Sequence, residues 1–202
     1  RNNKELFSKD AYNKEYSSEN AFAKTYGHHR EKLELSFRDL TILKKLCKKN
    51  KVKFMSTPFD EPSLDIICDV GVDMIKIASF DLGNLPFISR IAEKGLPVVI
   101  STGGGNLDDV KASVAILQSN VEDISVLHCV SEYPCTHDRL GLETIQDYID
   151  EFPGCRIGVS DHFSGVLSGP VAYLLGARVF EKHVTLNRAL KGTDHSFALE
   201  PH

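Results

Sequence analysis

The sequence predicts an α/β protein, a (β/α)8 TIM barrel of which these 202 residues carry six strand–helix units. Three observations point there. Six short apolar runs each end in a small polar cluster, helical patterns lie between them, and glycine or proline turn signals close several of the helices. Runs rich in Val and Ile suit strands buried on both faces of a parallel sheet. Polar groups at strand ends are what a barrel enzyme needs, because its active site sits on the C-terminal rim.

The runs follow in order. Lys53–Phe59 reads K-F-M-S-T-P-F, Met74–Ser79 reads M-I-K-I-A-S, and Pro97–Gly103 reads P-V-V-I-S-T-G. Ile124–Ser131 (I-S-V-L-H-C-V-S), Arg156–His162 (R-I-G-V-S-D-H) and Val179–Thr185 (V-F-E-K-H-V-T) complete the set. The first helical pattern, Ser36–Lys49, places Leu40, Leu43, Leu46 and Cys47 on one face, with Ser36 as N-cap and Asp39 three residues on. Pro62–Val70, Leu85–Lys94, Leu107–Ser119, Leu142–Phe152 and Val166–Gly176 follow, and Gly71, Gly95, Gly154 and Gly176 stand where a terminating glycine belongs. Strand–helix alternation with short loops predicts right-handed parallel crossovers.

Residues 1–35 are polar and read as a long loop with one helical piece near His28–Glu34. No composition shift marks a second domain, so residues 1–202 read as one, with strands three to eight of a barrel over 36–202. A closed barrel typically runs to about 250 residues. The expectation is that two N-terminal βα units and the last helix lie outside this sequence, which opens on Arg1.

Bulk properties exclude several classes. A net charge of −4 leaves no basic field for nucleic acid, and the tract Lys44–Lys53 reads as a solvated helix end. No apolar stretch approaches the roughly 20 residues that span a bilayer. The N-terminus does not read as a signal peptide. Five cysteines, odd in number and without C-x-x-C spacing, read as reduced thiols of a cytoplasmic protein. Cys129 adjoins His128, but successive strand residues face opposite ways, so the pair should diverge and Cys129 reads as packing.

Several residues carry chemistry on their own terms. His162 and His183 end successive strands and can face one rim, as metal ligands or as hydrogen-bonded structural groups. Lys76 is a charge inside an apolar strand, costly without an anion or a buried ion pair. Thr57, Ser79, Ser101 and Ser160 end strands with hydroxyls that either bind a ligand or cap the following helix. Asp194 handles a ligand or makes an Asx turn. The glycine run Gly103–Gly105 suits close approach of a phosphate but lacks the spacing of a P-loop.

The endings, taken in order, closely resemble the sialic acid synthase family. The matching segments are S-T-P-F-D at Ser56–Asp60, K-I-A-S at Lys76–Ser79, N-L-P at Asn84–Pro86 and S-T-G at Ser101–Gly103. L-H-C-V-S-x-Y-P at Leu127–Pro134, G-V-S-D-H at Gly158–His162, E-K-H-x-T at Glu181–Thr185, G-x-D-H at Gly192–His195 and L-E-P at Leu199–Pro201 follow. The resemblance implies condensation of phosphoenolpyruvate with an N-acyl-mannosamine-type amino-sugar, or its 6-phosphate. Water supplies an oxygen, the C–O bond of phosphoenolpyruvate breaks, and a nine-carbon 2-keto acid and phosphate leave.

The same resemblance assigns roles. His162 and His183 would hold a divalent cation, Mn²⁺ or Mg²⁺. Thr57, Lys76, Ser79, Ser101, Ser131 and Ser160 would hold phosphoenolpyruvate, Asn20, Tyr133 and Asp194 the sugar, and Lys76, Asp81 and Asp194 would share the catalytic work. Asp161 would support the metal ligand or a neighbouring loop. A homodimer is implied, without nucleic acid or membrane partners. Relatives carry S-G-E where this chain has Ser79-Phe80-Asp81, so the carboxylate is a methylene shorter and Phe80 adds bulk. Ser131 replaces an amide of some relatives. The family's early glutamate and lysine, and its small antifreeze-like domain, match nothing here. Two other readings fit these residues: a metal-dependent aldolase or hydrolase, and a barrel that binds phosphoenolpyruvate or metal without turnover.

Overall fold

The computed structural model describes residues 1–201, and the chain divides into two compact units, Arg1–Lys76 and Ile77–His202. No helix among the described residues is long and apolar enough to cross a membrane.

The first unit opens with short helices α1 (Asn3–Leu6), α2 (Lys9–Asn13) and α3 (Tyr26–Glu31). This corrects the expectation of a loop with one helical piece near 28–34. Four- to six-residue helices present too few turns for a periodicity to show, and α2 is started locally by Ser8, whose hydroxyl accepts from the Ala11 N–H. The segment is held by aromatics. His29 is buried and stacks with Phe22 at 5.8 Å and Tyr16 at 4.5 Å, while its Nδ1 accepts from the Phe22 N–H.

Helix α4 (Phe37–Lys49) starts where the sequence places it, on a reciprocal Ser36–Asp39 capping box. Of its expected apolar face only Leu40 is buried; Leu46 is 53% exposed. Strand β1 (Met55–Ser56) pairs in parallel with β2 (Met74–Ile77), and α5 (Glu61–Val70) connects them. Asp60 caps α5 through the Ser63 N–H, and Gly71 closes it at φ 80°. Asp73 then ties the unit together, accepting from Lys44 Nζ at 2.7 Å and from the Phe54 N–H at 2.7 Å.

The second unit holds four parallel strands in chain order: β3 (Val98–Ser101), β4 (Ile124–Cys129), β5 (Arg156–Asp161) and β6 (Val179–Lys182). Their connections are α7 (Leu107–Gln118), α8 (Thr144–Glu151) and α9 (Ser168–Leu174), with α6 (Leu85–Ala92) preceding β3. Strands β3 and β4 are buried at every position, as near-continuous apolar runs imply. Ile88, Ile91, Val98, Ile100, Leu117, Val126, Leu127 and Ile145 form the core between sheet and helices. Helix α9 is shorter than its apolar pattern, because Val166 and Leu167 are 65% and 70% exposed and precede it. With Pro170, Tyr173, Leu174 and Phe180 the exposed Val166 lines an apolar groove of about 550 Å³ on the outer side of β6.

Glycine 158 decides how β5 meets β6. A Cβ there would lie 2.1 Å from the Val179 carbonyl oxygen and 2.7 Å from Leu127 Cδ2, so only glycine lets the strands approach.

Candidate active site

Strand alternation sorts the residues at the ends of β4, β5 and β6 into two faces. On one face lie Cys129, Ser160, His162, Glu181 and His183. On the other lie His128, Asp161 and Lys182. His128 donates from Nε2 to the Leu140 carbonyl at 2.7 Å, away from Cys129, as expected.

Cys129 is buried, as the packing reading expects, and it also stands on the strand face of the imidazoles. Its thiol lies under the influence of His162, Ser79 and Ser160. Burial alone would push this thiol up; those neighbours outweigh it and leave it below the ordinary value. The missed signal was the strand register: Cys129 stands opposite Ser160, two residues before His162.

Three polar side chains converge on Gly103. Its N–H donates to Ser79 Oγ at 2.9 Å. A Cβ on Gly103 would meet Ser131 Oγ at 2.3 Å, and Cys129 Sγ and Ser79 Oγ at 3.0 Å. Glycine therefore lets two hydroxyls and a thiol close directly on this backbone. Ser101, buried at the end of β3, stands two residues before it.

On the same strand face the two imidazoles meet edge to face, with ring centroids 5.4 Å apart and planes inclined by 65°. His162 donates from Nδ1 to the Val130 carbonyl at 2.8 Å, which leaves Nε2 as the nitrogen with a lone pair. His183 Nδ1 lies 3.8 Å from Asp194 Oδ2. Burial pulls both imidazoles down. In His162 the nearby Cys129 thiol and the Val130 hydrogen bond overcome burial and the ring ends above its ordinary value. In His183 burial prevails, helped by the charge of His162.

Aromatic rings wall the pair. Tyr133 lies 4.0 Å from His162, and Phe197, 1% exposed, lies 5.0 Å from His183 and 6.1 Å from Tyr133. Phe197 is a second residue that sequence reasoning missed; nothing in a lone Phe three residues past Asp194 marks it. Glu181 is a third. It accepts from Ser160 Oγ at 2.7 Å, and the period-2 relation to His183 was the available signal. That bond also directs the single Ser160 proton at a carboxylate in this structure.

The remaining expected residues lie as follows. Asp81 is buried in the turn after β2, and its Oδ1 accepts from Asn84 Nδ2 at 3.1 Å; Phe80 beside it is 75% exposed. Asp194 accepts from Thr193 Oγ1 at 2.8 Å. Asp161 serves its loop: it accepts from the Phe163 N–H and from Lys182 Nζ, both at 2.8 Å, and from Ser168 Oγ at 2.5 Å. Lys76, Thr57 and Asn20 belong to the first unit. Lys76 is buried in β2, Thr57 follows β1, and Asn20 sits in the loop before α3, its N–H donating to Ser18 Oγ.

Among the described residues no group of three or more His, Cys, Asp and Glu is disposed to hold a metal ion. The donor set nonetheless fits an open site for a divalent cation. Two neutral-capable imidazoles face one space, and one has its outer nitrogen fixed by a carbonyl, the usual arrangement behind a metal-ligating histidine.

Comparison with known proteins places the chain. The family model of the NeuB family matches residues 1–202. An N-acetylneuraminate-9-phosphate synthase of Drosophila melanogaster is 40% identical over 196 residues, 96% of this chain and 53% of the relative. An N,N'-diacetyllegionaminic acid synthase of Legionella pneumophila is 36% identical over 202 residues, 97% of this chain and 56% of the relative. The solved structure of an N-acetylneuraminic acid (sialic acid) synthetase from Leptospira borgpetersenii, in complex with citrate, superposes with a TM-score of 0.81 at 32% identity. It covers 87% of this chain and 64% of that one. The chain thus spans about half the length of the curated relatives it matches. With the match running from the first residue to the last, the chain belongs to the NeuB family.

Proposed function

We propose that the protein containing this chain condenses phosphoenolpyruvate with an N-acyl-mannosamine-type amino-sugar or its 6-phosphate. The products are a nine-carbon 2-keto sugar acid of sialic or legionaminic type and inorganic phosphate. The observation that carries the reading is the position of Cys129, whose Sγ stands with the Ser79 and Ser131 hydroxyls against Gly103 and which shares a strand face with Ser160 and His162. Hydroxyls suited to an anion and an imidazole pair therefore share one wall, which suits a reaction joining an anionic three-carbon donor to an aldehyde.

The residues divide the work. The Ser79 and Ser131 hydroxyls, with Ser101, bind the carboxylate and phosphate of phosphoenolpyruvate. Ser79 accepts from the Gly103 N–H through a lone pair and keeps its O–H as a donor for the anion. Thr57 and Lys76 are further phosphoenolpyruvate ligands by family position, and Asn20 a sugar ligand. Tyr133 and Asp194 orient the sugar. Glu181 accepts the proton of the water that adds to the former enol carbon. Asp81 is a second carboxylate on the catalytic side by family position. The new C–C bond forms between the phosphoenolpyruvate methylene and the aldehyde carbon; the C–O bond to phosphate breaks.

His162 and His183 would hold Mn²⁺ or Mg²⁺, and the chemistry such a cation supplies is Lewis-acid polarisation of the sugar carbonyl. A homodimer working in the cytoplasm completes the proposal.

Phosphate release from phosphoenolpyruvate is the test, run with Mn²⁺ across N-acyl-mannosamines, their 6-phosphates and related amino-sugars. Release that requires both sugar and cation, and is lost in His183→Ala, supports the synthase. Binding of phosphoenolpyruvate without release under every sugar overturns it in favour of a binder.

A further inference from the structure

The two imidazoles are each preceded by a residue facing the opposite side of the sheet, and those two residues pair. Asp161 and Lys182 are direct register partners of β5 and β6, with Nζ 2.8 Å from Oδ2. Their side chains are 6% and 14% exposed, so both charges are largely withdrawn from water. Each also grips the backbone just past His162. Asp161 accepts from the Phe163 N–H, and Lys182 Nζ donates to the Phe163 carbonyl. Ser168 Oγ adds a third donor to the same carboxylate.

A buried ion pair adds little net stability, because desolvation consumes most of the attraction; its best-attested use is to fix a register. Register matters here more than elsewhere in the sheet. A one-residue slip of β6 against β5 would turn His183 to the far face and bring Lys182 toward His162. Strand β6 is four residues long and half buried, held to β5 by four ladder pairs, the Ser160–Glu181 hydrogen bond and this ion pair.

We infer that the Asp161–Lys182 pair sets the spacing between His162 and His183, making both residues positioning groups for the cation site. This inference rests on the reading that the imidazoles hold a divalent cation. A slipped or loosened β6 keeps both rings but separates them, so cation affinity falls while the sheet survives.

The test is direct titration of the protein with Mn²⁺ alone, following unbound Mn²⁺ by its spin-resonance signal, with thermal unfolding recorded in parallel. Asp161→Asn and Lys182→Met should each weaken Mn²⁺ binding about tenfold or more, the scale of support lost behind a metal ligand. The double variant leaves no unpaired buried charge, so its melting temperature should recover toward that of the parent while Mn²⁺ affinity stays low. Lys182→Arg, which keeps the charge, should retain affinity. If a single variant does not fold, Ser168→Ala removes one donor without stranding a charge and should give a smaller loss of the same sign.

Single variants that bind Mn²⁺ as tightly as the parent overturn the inference, and so does a double variant whose affinity recovers together with its melting temperature. His162→Ala and His183→Ala separate the two levels. If the parent does not bind Mn²⁺, or binds it equally in these variants, the cation reading fails and the positioning role falls with it.

Discussion

The Tyr133 ring lies over His162, with centroids 4.0 Å apart and planes inclined by 37°. The phenol is thereby set among Cys129, Asp194 and Glu181. Burial and those negative neighbours push its pKa to about 12. Tyr133 therefore stays a neutral donor over the whole physiological range. An alkaline difference titration of phenolate absorbance, parent minus Tyr133→Phe, should show a transition near 12 rather than at the ordinary value near 10. The linkage sign follows: this group supports folding below about pH 10, and the support fades as pH rises through 12. A transition at the ordinary value would mean that the ring stands clear of the carboxylates.

The Cys129–His162 contact makes a second prediction. It raises the His162 pKa against burial, whereas His183 is lowered. In Cys129→Ala the His162 ring loses the thiol and should titrate at a lower pH, read from its ring-proton chemical shifts. In the parent, His162 stabilises the fold below its unfolded value near 6.5 and loses that contribution as pH rises through the higher folded value. His183 has the opposite sign, present above 6.5 and lost on acidification. Protons compete with a cation for His162, so the pH midpoint of Mn²⁺ binding should also move down in Cys129→Ala. An unmoved His162 titration would remove the thiol from the site.

What could be read from the chain follows from the length scale of each signal. Strand ends such as Ser101, Ser160 and His162 were legible because an apolar run and its polar stop are properties of a few consecutive residues. The cap at Ser36 was legible for the same reason. Residues 1–35 were not, since α1 to α3 are four to six residues long and held by aromatic pairs such as Phe7–Tyr26, Tyr12–His28 and Tyr16–His29, which have no sequence period. The start of α9 was misjudged because Val166 and Leu167 continue an apolar pattern while standing exposed. Within the site, the residues missed were those defined by neighbours distant in sequence. Cys129 reaches Ser79 and His162, and Phe197 reaches His183.

The Ser36 box offers a stability test remote from chemistry. Its hydroxyl accepts from the Asp39 N–H at 3.2 Å, and Asp39 Oδ2 accepts from the Ser36 N–H at 3.0 Å. Ser36→Ala removes the first bond and strands an N–H of the first turn of α4. The expected cost is about 1 kcal/mol in denaturant unfolding, within the usual range for a lost cap. Ser36→Asp should recover most of it. A loss well beyond that range would mean that Ser36 has a role besides capping.

Two glycines separate folding from binding. Gly158→Ala places a methyl against the Val179 carbonyl oxygen, a backbone atom that can yield only if β5 and β6 part. More than about 3 kcal/mol of destabilisation is expected, above the ordinary range for overpacking. Gly103→Ala meets only the ends of Ser131, Cys129 and Ser79, which can rotate, so about 1 kcal/mol is expected there. Two of those atoms are the hydroxyls proposed to bind the anion, and turning even one of them away forfeits a charge-assisted hydrogen bond, about tenfold in affinity. Gly103→Ala should therefore stay folded by thermal unfolding yet bind phosphoenolpyruvate at least about tenfold more weakly by calorimetry. Undiminished phosphoenolpyruvate binding would move the anion site away from Gly103. A Gly158→Ala protein with unchanged stability would show that the β5–β6 approach tolerates a side chain after all.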